Sequence, residues 1–168
     1  MKIAIIGFSG CGKSTLARHL SGHYNIPVMY MDRVHWLPGW QEIDPAEQSR
    51  IVEEFLDSHS DWVIDGNYTG THFDRRMEEA DQIIFLCFNR FSCLWRVWKR
   101  YKAHKGVSRF SMTDGCDERI NWNFIRWVLW EGRNKKKMAR YRKIQDRYAS
   151  KFTSIHNQKQ LDAFVKNL

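Results

Sequence analysis

The sequence predicts an α/β fold, three layers deep, with a five-stranded parallel sheet between helices. Two observations carry this. Short apolar segments alternate with amphipathic stretches along the whole chain, and the most apolar of them run without a polar break, as strands covered on both faces do. In addition, Gly7-Phe8-Ser9-Gly10-Cys11-Gly12-Lys13-Ser14 lies between an apolar strand pattern and a helical one.

The first segment, Lys2-Ile3-Ala4-Ile5-Ile6, is a buried strand, and Thr15 onward to about Gly22 is a helix. The octapeptide between them fits G-x-x-x-x-G-K-[ST]. Its glycines let successive backbone N–H groups turn toward a phosphate, the helix N-terminus adds partial positive charge, and the lysine reaches the β- and γ-phosphates. Gly7, Ser9, Gly10, Cys11, Gly12, Lys13, Ser14 and Thr15 are therefore the expected phosphate-binding residues, with Ser14 placed to ligate Mg²⁺. A P-loop NTPase follows, expected to bind a nucleoside triphosphate together with Mg²⁺.

Ile26 to Tyr30 reads as the second strand, with Asp32 just past its carboxyl end, and Arg33 to Trp40 as loop, since Pro38-Gly39 is a turn signal. Asp44-Pro45-Ala46-Glu47 is a helix start, a capping residue followed by proline at the first position, and the helix runs to about His59. Asp61 to Gly66 is a strand ending in Asp65; Thr71 to Glu79 is a helix; Asp81 to Phe88 is a strand. Helices are expected over 90–104, 117–131 and 133–150, then a last strand over 152–156 and a helix over 158–167. Trp122, Trp127 and Trp130 fall at helical spacing and read as core and hinge packing.

The chain is long enough for one domain with a sizeable core. No apolar run approaches the roughly 18 residues of a membrane span, and the apolar start lacks the pattern of a secretory leader. The expectation is a cytoplasmic protein with no membrane partner. Its four cysteines show no C-x-x-C pairing and read as free thiols. The net charge of +8 is concentrated in residues 90–147, which hold 17 Lys and Arg against 5 Asp and Glu. Such a block suits a polyanion such as nucleic acid, arginines closing over a triphosphate, or a solvated face.

Met31-Asp32, the run Trp36-Leu37-Pro38-Gly39-Trp40, Trp62 to Tyr68, and Arg96 with Arg100 resemble the small P-loop kinases related to adenylate and shikimate kinase, and within them the DNA topology modulation proteins. The resemblance spans nearly the whole chain and implies a single domain with a helical lid at about 101–118. It implies transfer of the γ-phosphoryl group of ATP to a small acceptor: a nucleoside, nucleotide or other hydroxylated metabolite. The alternative is a nucleotide-gated nucleic-acid-binding protein.

On that resemblance Asp65 would help hold the magnesium shell, although an aspartate there also serves as a turn or cap residue. Asp32 matches the position that holds the acceptor hydroxyl in such kinases, and equally suits a loop aspartate bonded to nearby amides. Arg96 and Arg100 resemble the arginine pair that opens a lid, Arg100 being the phosphate contact. Arg133 and Arg140 are the candidates for returning arginines. The chain departs from adenylate kinase at Asn67-Tyr68 and lacks zinc-ligand spacing in the lid, both of which count against an AMP acceptor. Arg75 and Arg76 are either anion-binding or surface residues.

Overall fold

In the computed structural model, which describes residues 1–168, the central sheet has five strands, all parallel, and helices flank it. They are β1 (Lys2–Gly7), β2 (Val28–Tyr30), β5 (Trp62–Asp65), β6 (Gln82–Leu86) and β7 (Phe152–Ile155), in the order β2-β5-β1-β6-β7. Parallel neighbours need crossover connections. These are α1 (Lys13–Tyr24), α3 (Pro45–Ser58) and α4 (Phe73–Glu79), then α5 (Arg90–Ala103), α6 (Trp122–Leu129) and α7 (Lys135–Arg147) before β7, with α8 (Gln158–Lys166) last.

Burial explains why the strands read as unbroken apolar runs. Ile3, Ile5, Ile6, Trp62, Val63, Ile83, Ile84 and Leu86 have no exposed surface. Each such side chain contributes about 1.5–3 kcal/mol relative to leaving it in water. The chain leaves β1 for β2 on one side, returns to β5, and then crosses to β6 on the other. That reversal puts the switch point of the sheet at the carboxyl end of β1, where open α/β sheets leave a crevice, and the Gly7–Ser14 loop occupies it.

Three local expectations need correction. The stretch read as loop over Arg33 to Trp40 begins inside a helical turn, α2 (Met31–His35), and continues into a small antiparallel hairpin of β3 (Trp36–Leu37) and β4 (Gln41–Glu42). Elements of two to five residues are too short to leave a periodic signal. Helix α6 starts at Trp122, not at Asp117, because Asn121 caps it by accepting from the Phe124 amide at 2.8 Å. The residues before it are instead drawn inward by an ion-pair cluster at Glu118. Trp122, Trp127 and Trp130 are not core: they are 73%, 40% and 55% exposed, and α6 buries Val128 and Leu129 instead.

No helix is long and apolar enough to cross a membrane.

Candidate active site

The loop after β1 is bent by glycines that nothing else could replace. Gly7 has φ of 141°, and a Cβ there would lie 2.2 Å from the Leu86 carbonyl oxygen. Gly12, with φ of 93°, precedes α1 and offers no capping side chain. The first amides of α1 therefore have no side-chain acceptor, which leaves a ready anion site at its N-terminus. Lys13 Nζ donates to the Phe8 carbonyl at 3.2 Å, arched over the loop.

Ser14 Oγ donates to Asp65 Oδ2 at 2.6 Å, tying the start of α1 to the end of β5. Asp65 is 5% exposed, and its Oδ1 is buried without a partner. Burial pushes its carboxyl up to about 6; the Lys13 charge opposes this, while Asp32 adds to it. A hydroxyl and an orphaned carboxylate oxygen are hard donors that fit Mg²⁺, which takes one or two protein oxygens and completes its shell with phosphate and water. No group of three or more His, Cys, Asp or Glu side chains forms a self-sufficient metal cage.

Both residues open onto one cleft of about 1190 Å³. A drug-sized ligand occupies roughly 300–1,000 Å³, so this volume holds more than one. Asp32, on α2, lies on its wall and accepts from the Tyr68 hydroxyl at 2.7 Å. Burial and the Asp32 charge push that phenol strongly upward, so Tyr68 stays a donor. The aromatic run bounds this end: the Trp36 and Trp40 rings lie 5.5 Å apart, and His35 lies 4.8 Å from Tyr68. Gln48 also lines the cleft; it is 6% exposed and its Nε2 has no partner, and neither has Trp40 Nε1.

Cations crowd the same cleft. Seven lysines and arginines line the cleft against three carboxylates, and six of the seven come from the 90–147 block. Arg100 Nε lies 3.1 Å from Glu118 Oε1, and Arg109 pairs with the same oxygen. Glu118 is 6% exposed. Burial and the neighbouring Arg109 lower the Arg100 pKa, with Glu118 countering them.

Of the residues singled out from sequence, Gly7, Ser9, Gly10, Gly12, Lys13, Ser14, Thr15, Asp32, Asp65, Arg96, Arg100 and Arg140 line the cleft together. Arg133 and Cys11 are not brought to it. The Arg133 guanidinium donates to the Phe88 carbonyl at 2.7 Å and to Cys93 Sγ at 3.0 Å and covers the Phe8 ring, so its donors are spent within the protein. Cys11 points into the core. Arg75 pairs with Asp57 and Glu79, and Arg76 is buried, bonded to the Gly66 and Tyr68 carbonyls; neither meets the cleft. Sequence reading missed Arg109, Glu118, Tyr68 and Gln48. Glu118 follows Asp117 and Asp114 in the sequence, and nothing there sets it apart as the paired charge.

With its sheet order and the glycine loop at the switch point, the chain aligns over nearly its whole length with solved structures of another protein. Two structures of deoxyadenosine kinase from M. mycoides are similar to it. The one with bound dATP aligns at a TM-score of 0.58 with 14% identity, and the one with the products dCMP and a flexible dCDP at 0.54 with 16%. Each alignment covers 99% of this chain and 98% of the other. The fold is that of the P-loop kinases. No protein-family model matches the chain, and no curated protein does.

Proposed function

We propose that this chain is an ATP-dependent phosphotransferase that moves the γ-phosphoryl group to the hydroxyl of a small acceptor, with nucleosides the first class to test. One observation carries the reading: the phosphate loop and Asp32 border a single cleft with room for two ligands. The deoxyadenosine kinase neighbours support it at the level of fold.

The loop amides and Lys13 would cradle the β- and γ-phosphates, as the sequence pattern requires. Ser14 and Asp65 would hold Mg²⁺, which neutralises phosphate charge when bound. Asp32 orients the acceptor hydroxyl and takes up its proton, with Tyr68 fixing the carboxylate. Flat walls at Trp36, Trp40 and Tyr68, with the unpaired Gln48 amide, suit a planar ring bearing hydrogen-bonding edges. Arg96, Arg100 and Arg140, which line the cleft, would supply charge to the transferring group, with residues 101–118 acting as the lid. Of the two returning arginines considered, Arg140 serves and Arg133 braces the loop from behind.

ADP release from MgATP, measured with and without pooled nucleosides, nucleotides and hydroxylated metabolites, tests this. Acceptor-dependent release that is lost in Lys13→Ala and Asp32→Asn supports the kinase; release indifferent to every pool rejects it.

The second reading, a nucleotide-gated nucleic-acid binder in keeping with the topology-modulation resemblance, rests on α5. Trp95 and Trp98 stack at 4.9 Å on its exposed face, and Lys102 Nζ sits 3.9 Å over Trp98. Aromatic platforms beside cations suit single strands. It ranks second because six cations of the basic block line the cleft. Titration with single-stranded DNA at two salt concentrations checks it, a steep salt slope being its signature.

A further inference from the structure

Cys11, in the phosphate loop, and Cys93, on the first turn of α5, have their sulfurs 3.3 Å apart, and neither residue has exposed surface. Loop and helix are in close contact around them, since a Cβ on Gly10 would lie 2.7 Å from the Cys93 carbonyl oxygen. Arg133 Nη2 donates to Cys93 Sγ at 3.0 Å, and the same guanidinium covers Phe8 in the loop. Two thiols in contact, with a fixed cation on one of them, form a chemical unit that the kinase reading does not use.

We propose that Cys11 and Cys93 form a reversible intramolecular disulfide that ties the phosphate loop to α5 and weakens its hold on nucleoside triphosphate. The second half rests on the loop's binding a triphosphate; the first does not.

The Cys11 thiol is the attacking group. The hydrogen bond from Cys93 holds its pKa below the ordinary thiol range against the opposing effect of burial, with Lys13 and Arg133 adding to the lowering, while Cys93 is pushed up. The oxidant is a small hydroperoxide, for which hydrogen peroxide is the probe. The Cys11 sulfur bonds to one peroxide oxygen, the O–O bond breaks, and the departing hydroxide takes a proton to become water. Cys93 sulfur then attacks the resulting sulfenic acid, the S–O bond breaks, and the hydroxide leaves as a second water with the Cys93 proton. Two thiols lose two electrons and one peroxide gains them.

Closing the bond brings the sulfurs from 3.3 Å to about 2.0 Å. A displacement of that size in a loop whose amides must converge on one phosphate is costly, since about 1 Å of misplacement in a reacting site lowers rates by ~100-fold.

The test treats reduced protein with hydrogen peroxide and reads three things: intact mass, the disulfide-linked peptides, and MgATP affinity by calorimetry. The expected result is a loss of about 2 Da, a peptide joining Cys11 to Cys93, and affinity lowered at least ~10-fold and restored by dithiothreitol. Cys93→Ser and Cys93→Ala should bind MgATP when reduced and lose the peroxide response. Cys87→Ser should keep it, since that thiol faces His156 instead. Absence of the linked peptide overturns the disulfide, and a linked peptide with unchanged affinity overturns its effect on the loop. Reduced wild type that fails to bind MgATP overturns the kinase reading and with it the proposed effect on triphosphate binding, and the linked peptide then decides the disulfide alone.

Discussion

Asn67 closes a two-bond ring on Gly7: its Oδ1 accepts from the Gly7 amide at 2.9 Å and its Nδ2 donates to the Gly7 carbonyl at 2.6 Å. The side chain thereby continues, past the end of β5, the pairing that β5 makes with β1. It fixes the residue at which the phosphate loop leaves the sheet.

Asn67→Asp keeps the shape but replaces the donor with an anionic oxygen facing a carbonyl. Stability should fall by about 1–3 kcal/mol, and MgATP should bind at least ~10-fold more weakly because the loop's first residue is no longer held. Thermal melts and calorimetry on the same variant check both.

The Asp65 carboxyl titrates at about 6, above its ordinary 3.8. The folded protein therefore holds this proton more tightly than the unfolded chain. Its contribution to stability is present at low pH, falls as pH rises from about 4 to 6, and is fully lost above that. A proton held that much more tightly is worth roughly 3 kcal/mol. Asp65→Asn in a chelating buffer should therefore be more stable than wild type at pH 8 and no more stable at pH 4. The same variant should lose magnesium-dependent turnover. Melting temperatures across pH, set beside turnover at pH 8, give the answer.

Glu118 holds Arg100 and Arg109 by one oxygen, in a position where a phosphate would serve both cations equally well. Glu118→Gln leaves two partly buried charges without their counter-ion, and should destabilise the ligand-free protein by about 1–3 kcal/mol. Saturating MgATP should then raise the melting temperature more in the variant than in wild type. Equal shifts would place the phosphates away from these arginines.

Asp32 and Tyr68 act at different ranges. Asp32→Asn should lower turnover roughly 10²–10⁴-fold, the usual contribution of a positioned base. Tyr68→Phe removes only the bond that aims the carboxylate, and should cost about tenfold in turnover with little change in acceptor affinity. Steady-state kinetics on the active acceptor separates the two.

Residues 102–117 should exchange amide hydrogens more slowly once MgATP is bound, because a lid that excludes water must order on closing. Exchange mass spectrometry with and without nucleotide reads this directly.

What was legible in the sequence was whatever a long period or a rigid motif encodes. The strands announce themselves because they are buried on both faces, and the phosphate loop because its glycines, lysine and serine must occupy fixed offsets. Asp32 and Asp65 were found for a simple reason: strand ends in a parallel sheet share one rim. Glu118 and Arg109 were not, since their meeting depends on the path of an irregular segment. Arg133 was misplaced because charge alone does not say which way a side chain turns; its donors satisfy a carbonyl and a sulfur in the interior. Gln48 sits on a helix with an otherwise ordinary amphipathic pattern, and only the walls of the cleft single it out. The aromatic stripe of α6 obeyed helical spacing and still faces outward, because Val128 and Leu129 fill the space that the core leaves it.

The order β2-β5-β1-β6-β7 also sets a schedule for synthesis. Strand β1 is translated first, yet its two neighbours begin at Trp62 and Gln82. At roughly 5–20 residues per second, the ribosome needs on the order of 4–16 s to deliver both. Through that interval a strand that ends up almost wholly buried has at least one open edge, which makes the nascent chain, rather than the finished protein, the form most exposed to misassembly.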